Sequence, residues 1–551
     1  MGMFIKISKV NNYQYVQLVR SYRENNTTKH EVLFNFGRLD EIQNNPSMQR
    51  LALRLTELSG LSRQSPPSLT DMSEAQMFNW GWFVYRRLWQ KFGLDGILSS
   101  IQKAGKTQFD LSSACLLMVL QHLLNPASKL RSYQQQVRYA GLPNVKLHNL
   151  YRTLDILCSH KELLETRMFE ANRSLFNMQV DVVFYDVTTF SFESVKADSL
   201  RDFGFSKDCK FKEVQVVLGM FIDCEGRPVG YELFPGNTFD GKTMEKALAV
   251  IEKRFGIHRV IIVADRGLNS KLNLKRITDK GYGYIVASRL KNMGQKVHDE
   301  IFSPQGYQEL DNQEEDTQIR YKIIDYTNTF RLEDGSICTL PEKLIITYSS
   351  KRAKKDAADR NRLIEKAQKM LENKALIKAS SKRGGKKYLR EVTDNETEWV
   401  LDSEAVARDE KFDGYYGIQT SETMLSAGQV LDAYHTLWKI EESFRIMKST
   451  LEVRPIFHWT EERIKGHFVI CFLAFLLERT LEIHLKQARV EASPESIREA
   501  LNSLQLAQIE LEEKKYFIKT KGTELSTKVL RTLKIQPPRN VTPVEKLLLE
   551  T

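Results

Sequence analysis

The stretch that most limits the fold is VIIVAD, residues 260–265: five apolar residues in a row, then an acid. A strand without polar alternation has no face for water, so it belongs in a sheet covered on both sides. The run VVFYD, residues 182–186, ends the same way. Between them, VQVVLGMFID and PVGYELF read as two more strands, joined by a hairpin turn at Glu225, Gly226 and Arg227. MEKALAVIEKRF and LNLKRITDKG carry helical spacing, and YGYIVAS is a further strand. The order β-β-β-α-β-α-β predicts an α/β fold, a mixed sheet flanked by helices.

The flanks read differently. Residues 1–60 form a small β-containing segment, with strands in FIKI, YVQLVRSY and EVLFNFG, and residues 60–72 have the composition of a linker. Residues 73–178 are a helical region. Within it LSSACLLMVLQHLL repeats apolar residues at three and four and stops at Asn125-Pro126. Plain packing and DNA binding are both open uses for that region. The core pattern occupies 179–290 and resumes at 425–485. Between them, 291–424 read as an inserted β-rich subdomain, with strands in QIRYKIIDY and EKLIITYSS, an acidic patch (Glu314, Glu315, Asp316) and a basic helix. Helices are expected near 428–448 and 461–485, followed by a basic C-terminal region, 486–551.

Asp186 and Asp265 stand at the carboxyl ends of the two most apolar strands, where open α/β sheets gather their chemistry. Either one alone reads as well as a turn or helix cap. The third acid comes from a helix. At about 100° per residue, Ala433, Leu437, Ile440, Phe444 and Met447 make an apolar stripe. Glu441 borders that stripe, whereas its neighbour Glu442 falls nearly opposite and is expected to be solvated. Tyr434, Glu441 and Lys448, spaced by seven, are expected on one face. A surface charge pair is the bland alternative for the two glutamates. Three clustered carboxylates repel one another unless cations neutralise them. Two divalent ions about 3.5–4 Å apart would do so and would activate water against a phosphodiester. Oxygen donors favour Mg²⁺ or Mn²⁺.

The 551 residues carry a formal charge of +11, which suits a polyanionic partner. The longest apolar run, Phe468 to Leu477, is ten residues, half of what a membrane span needs at about 20. No signal peptide or membrane association is expected. The six cysteines form no CxxC pair, so zinc of the usual spacing is not expected and a reducing cytoplasm is.

At YDVTTFSFES, GFSKDCKFKEVQVVLGMFIDCEGRPVGYELFPGNTFDGKT and VIIVADRGLNS the chain resembles the insertion-sequence transposases of the Asp-Asp-Glu type. These have an RNase H-like core and a signature of Tyr, Arg, Glu and Lys. Here the signature reads Tyr434, Leu437, Glu441 and Lys448, with Leu437 at the Arg position. The resemblance spans roughly 180–477, and the 176 residues from Asp265 to Glu441 match an insertion that this family carries. It implies Asp186, Asp265 and Glu441 as catalytic metal ligands for two Mg²⁺ or Mn²⁺ ions. It implies Tyr434 and Lys448 as contacts to end DNA. Arg445 is a conjectural replacement for the missing Arg, and Lys207 and Arg266 are further candidates for phosphate contact. The partners it implies are double-stranded DNA, as terminal inverted repeats and target, and a second copy of the chain in a dimer. A cytoplasmic, nucleoid-associated location follows. Basic groups at Lys351, Arg352, Lys354 and Lys355, and at Lys382, Arg383, Lys386 and Lys387, suit phosphates. Trp438 has the means to stack on a base, although helix packing is the commoner use.

Two alternatives remain. One is a transposase-derived DNA-binding protein without catalysis. The other is a P-loop NTPase, because Gly236 to Thr243 matches GxxxxGKT between a strand and a helix. Only 23 residues separate Lys242 from Asp265, which leaves no room for the strand-helix unit that commonly intervenes. A haloacid dehalogenase-like phosphatase would want an acid where Thr188 stands.

Overall fold

In the computed structural model the two apolar strands lie side by side in the middle of a nine-stranded sheet. The structure describes the chain except residues 1, 25–26, 61–74, 177–181, 205–211, 239, 257–259, 310–318, 333, 373–376, 378–383, 395, 512–513 and 548–551. The sequence-predicted linker, the acidic patch at 314–316, Lys207, Lys382 and Arg383 therefore lie wholly or almost wholly outside the described residues.

The chain divides into two compact units, Met1–Ala75 with Ile509–Tyr516, and the remainder. In the first, β1 (Met3–Val10), β2 (Tyr13–Glu24) and β3 (Thr27–Arg38) form an antiparallel sheet, followed by α1 (Leu39–Gln43) and α2 (Pro46–Leu58). Asn45 caps α2, accepting from the Ser47 N–H.

The second unit opens with β4 (Gln76–Asn79) and a helical layer: α3 (Phe83–Lys91), α4 (Leu94–Ala104), α5 (Leu111–Leu124), α6 (Lys129–Gln135), α7 (Leu147–Ser159) and α8 (Lys161–Phe176). Then come β5 (Val182–Ser191), β6 (Gln215–Ile222), β7 (Pro228–Pro235), α9 (Asp240–Phe255), β8 (Ile261–Ala264), α10 (Lys271–Asp279) and β9 (Gly283–Ala287). β5, β6 and β7 pair antiparallel, while β8 runs parallel to β5 and β9 parallel to β8. The order β7-β6-β5-β8-β9 with those directions is the RNase H-like arrangement.

The segment that interrupts the core supplies α11 (Gln295–Phe302), β10 (Gln308–Glu309), β11 (Ile319–Arg331), β12 (Ile337–Ser349), α12 (Ser350–Glu372), β13 (Leu389–Asp394), β14 (Glu396–Leu401), α13 (Ser403–Glu410) and β15 (Tyr415–Thr420). Most of its strands do not make a sheet of their own. β15 pairs antiparallel with β9, and β12, β11 and β10 follow outward, so they extend the core sheet. The extension gives the outer edge of β9 a hydrogen-bonded partner, and an open edge there would be a liability.

After β15 come α14 (Ala427–His435), α15 (Trp438–Arg445), a π-helical turn (Ile446–Thr450), α16 (Glu461–Gln487), α17 (Pro494–Asn502), β16 (Gln505–Leu511), β17 (Lys514–Lys519), α18 (Glu524–Thr532) and β18 (Val541–Pro543). The single helix expected over 428–448 is thus interrupted. Hydrogen bonds Leu437 N–H to Tyr434 O (3.0 Å) and Ile440 N–H to Leu437 O (3.1 Å) span three residues, a local 3₁₀ tightening.

Phe184 and Val263 face a hydrophobic cluster shared with α5, α14, α15 and α16. The opposite sheet face, with Val183, Tyr185 and Ile262, packs on α9 and α10. α5 is buried almost all round, packed between α7 and α16. No helix among the described residues is long and apolar enough to cross a membrane.

Candidate active site

Strand pairing sets the two aspartate-ending strands side by side. Val182, Val183 and Phe184 align with Ile261, Ile262 and Val263 across the parallel β5–β8 pair. Two residues beyond the last of these pairs stand Asp186, still on β5, and Asp265, just past the end of β8. Side chains alternate along a strand, so Asp186 lies on the same face of β5 as Phe184. Asp186 is buried and its Oδ1 accepts the Val187 N–H at 2.7 Å. Asp265 is half-buried just past β8, and its Oδ1 accepts the N–H groups of Gly267 (2.8 Å) and Leu268 (3.2 Å).

The third element crosses the same face. α14 packs on β8, β9 and β15, and α15 packs on β5 and β6. Ser426 and Gln429 form a capping box that fixes where α14 begins. Glu441 sits in the first turn of α15 and is exposed. It lines a groove of about 470 Å³ with Tyr434, Trp438, Tyr416 and Arg352. The Tyr434 phenol is held above its ordinary value by burial first, then by Tyr416, to which it is hydrogen-bonded at 2.7 Å, and by the Asp265 charge. Tyr434 therefore stands in electrostatic reach of Asp265 and on the wall of the Glu441 groove.

Lys448 comes from the π-helical turn, and its Nζ lies 5.6 Å from the Phe190 ring on β5. The even seven-residue face expected for Tyr434, Glu441 and Lys448 is replaced by one 3₁₀ step and one π step. Single π turns inside α-helices are frequent at functional sites. Leu437 is in the hydrophobic core, where an apolar residue is suited.

Glu442 is not solvated as expected. Its Oε2 accepts from Arg479 Nη1 (3.2 Å) and Nη2 (3.3 Å), and Arg479 is itself buried. The neighbour that faces away from the stripe meets α16, which a single-helix projection could not see. Arg445 is exposed and pairs with Glu442 at 3.6 Å; it does not line the Glu441 groove. Arg266 is exposed, with its guanidinium 6.0 Å from the Tyr416 ring, and Arg352 lies 4.3 Å from the same ring. Sequence reading passed over Tyr416, because only the β15–β9 pairing brings it to the site. Trp438 is 55% exposed, which is unlike a packing residue.

Among the described residues, Asp186, Asp265 and Glu441 do not form a set with all ligand atoms within 4.8 Å of one another; His122, His467 and Cys471 do. The acids supply only oxygen donors, the set that Mg²⁺ and Mn²⁺ prefer.

At the start of the GNTFDGKT turn the described amides are taken up by protein. Gly236 N–H donates to Leu200 O (3.1 Å) and Thr238 N–H to Pro235 O (2.9 Å), so these amides face protein. A Cβ at Gly236 would lie 2.1 Å from Gln215 O, so this glycine serves close backbone packing. The strand before it, β7, is an antiparallel edge strand.

The chain belongs to the family of transposases with a DDE domain: the family model described as "Transposase DDE domain" matches residues 179–477. A second model, "IS1634 family transposase, N-terminal domain", matches residues 5–65. Among solved structures, the chain is similar to the piggyBac transposase in a synaptic complex with hairpin DNA, at 8% identity and TM-score 0.35, covering 78% of this chain and 82% of that one. It also matches the Mos1 transposase in a paired-end complex with its left transposon end, at 11% identity and TM-score 0.15, covering 31% and 57%. No curated protein sequence matches the chain.

Proposed function

We propose that this transposase cleaves DNA at the terminal inverted repeats of its element and joins the freed 3′ ends to target DNA, with Asp186, Asp265 and Glu441 as its catalytic carboxylates. The observation that supports this reading is the parallel pairing of β5 and β8, the two strands that lead into Asp186 and Asp265, with the helix that carries Glu441 packed on β5. Two Mg²⁺ or Mn²⁺ ions held by these acids would activate water and stabilise the leaving oxygen. Asp265 spends Oδ1 on backbone amides, which fixes its carboxylate plane. Glu441 stands on the exposed side, where a DNA strand would enter. Tyr434 and Lys448 complete the signature as strand contacts. Arg266 and Arg352, both near the Tyr416 ring, offer guanidinium groups to phosphates near the groove. A homodimer on paired ends fits this chemistry.

The test is cleavage of a labelled duplex that carries the DNA flanking this gene, with Mg²⁺, with EDTA, and with Glu441→Gln. Metal-dependent nicking at the repeat boundary, lost in Glu441→Gln and in Asp186→Asn and Asp265→Asn while binding persists, is expected. Binding without nicking under any divalent metal would favour a DNA-binding descendant without catalysis.

A further inference from the structure

A second cleft, of about 460 Å³, opens beside the far end of β5. Its lining includes Lys129, Arg454, Tyr151, Phe457 and His458. Lys129 begins α6 and is 5% exposed. Among the described residues no carboxylate lies within ion-pair distance of it. Its Nζ instead lies 3.4 Å from His122 Nε2, and His122 Nδ1 lies 2.8 Å from Leu451 O. A neutral ring donates from Nδ1 and accepts at Nε2, which satisfies both contacts.

The histidines there are not counter-charges. Burial, then the Lys129 charge, pushes His122 down to about 3, and the same two causes push His458 to about 3. Burial also lowers Lys129, to about 8. A buried cation without an anion is costly, and such a group is ordinarily paired. The cleft supplies the route by which an anion reaches it. Arg454 lines the same cleft and donates from Nη1 to Ser191 Oγ at 2.8 Å. Ser191 closes β5, five residues after Asp186. At a strand rise of about 3.3 Å that is roughly 16 Å, or about five base pairs of B-DNA. The acid on the lining, Glu452, is exposed.

Resting on the transposase reading, we propose that this cleft takes a phosphate of the bound DNA strand, with Lys129 and Arg454 as its cations. A metal ion is the rival occupant, since His122, His467 and Cys471 bring ligand atoms within 4.8 Å of one another. The Lys129 ammonium at His122 Nε2 covers the lone pair that a metal would need and adds like charge.

The experiment uses the full chain in EDTA, comparing wild type and Lys129→Met for affinity to the labelled duplex over a salt series, and for Tm without DNA. The expected result is about a tenfold loss of affinity and a salt slope smaller by about 0.9, one phosphate contact. Tm is expected to be unchanged or higher, because an unpaired buried charge is gone. Unchanged affinity and slope overturn the proposal, and so does a lowered Tm with an unchanged slope, which would make Lys129 a structural strut. Stoichiometric zinc in the purified wild type overturns it too. Inorganic phosphate that raises the wild-type Tm while Lys129→Met keeps the wild-type salt slope assigns the cleft to free phosphate and overturns the DNA claim. If Lys129→Met does not fold, Arg454→Gln carries the same expectation for slope and affinity. Nicking in Mg²⁺ is read separately, so wild type that binds without nicking fails the catalytic reading and leaves the salt slopes to decide this one.

Discussion

Two adjacent glutamates on α15 meet different surroundings because a helix turns each by about 100° from the last. Glu441 looks into an open groove, while Glu442 is held by Arg479 on α16. A carboxylate already engaged with a buried guanidinium is poorly placed to serve a metal, which supports Glu441 as the third acid. Replacing Glu442 with Gln removes one partner of a largely desolvated pair. We expect a loss of about 1–3 kcal/mol in stability, read as a lower urea midpoint, with nicking retained at temperatures where the variant is folded. Glu441→Gln is expected to do the reverse. Glu442→Gln that is fully stable but dead would transfer the catalytic role to Glu442.

At the scale of elements, the site depends on how closely helices approach the sheet and one another. α16 crosses α7 at Gly466, where a Cβ would sit 2.1 Å from Leu154 O. That neighbour is backbone and cannot swing aside. Gly466→Ala must push the two helices apart, and overpacking of this kind costs about 1–3 kcal/mol or more. The expected reading is a Tm several degrees lower. A Tm equal to wild type would mean that α7 and α16 are not held at this distance. The same α16 carries His467, whose Nε2 lies 3.1 Å from Val453 O, and so braces the loop that follows the π-helical turn of Lys448.

Across the second unit, one hydrophobic cluster runs from Trp80 to Leu547, so the helical layer and the RNase H-like sheet share a core. Charged groups are buried in it. Glu478 receives a hydrogen bond from Tyr85 at 2.5 Å, and Glu482 pairs with Arg479 at 2.7 Å. Burial first, then the charge of Glu482, raises the Glu478 carboxyl well above its ordinary value of 4.5. A carboxyl raised in this way holds its proton more tightly folded than unfolded. Its contribution is present below the unfolded value and is lost as pH rises from there toward neutrality. Stability is therefore expected to fall between about pH 5 and pH 8, measured by urea unfolding. Glu478→Gln, which stays neutral, is expected to flatten that fall. An equal slope in the variant would place the proton uptake elsewhere.

Apolar runs that end in Asp186 and Asp265 determine two buried central strands with acids at their carboxyl ends, because an unalternating strand has nowhere to lie but inside. Local spacing likewise determines the hairpin at Glu225–Arg227 and the buried α16. Pairing across long distances is another matter, since local sequence does not encode which edge a strand joins. Only the tertiary structure decided that β15, β12, β11 and β10 extend the core sheet, which brings Tyr416 and Arg352 to the groove of Glu441. Nor does helical periodicity contain the 3₁₀ step at Leu437 or the π turn before Leu451, because both answer to the packing of the helix on the sheet. Glu442 shows the same limit for side chains. The helical projection predicts a solvated carboxylate, yet Arg479 of α16 holds it.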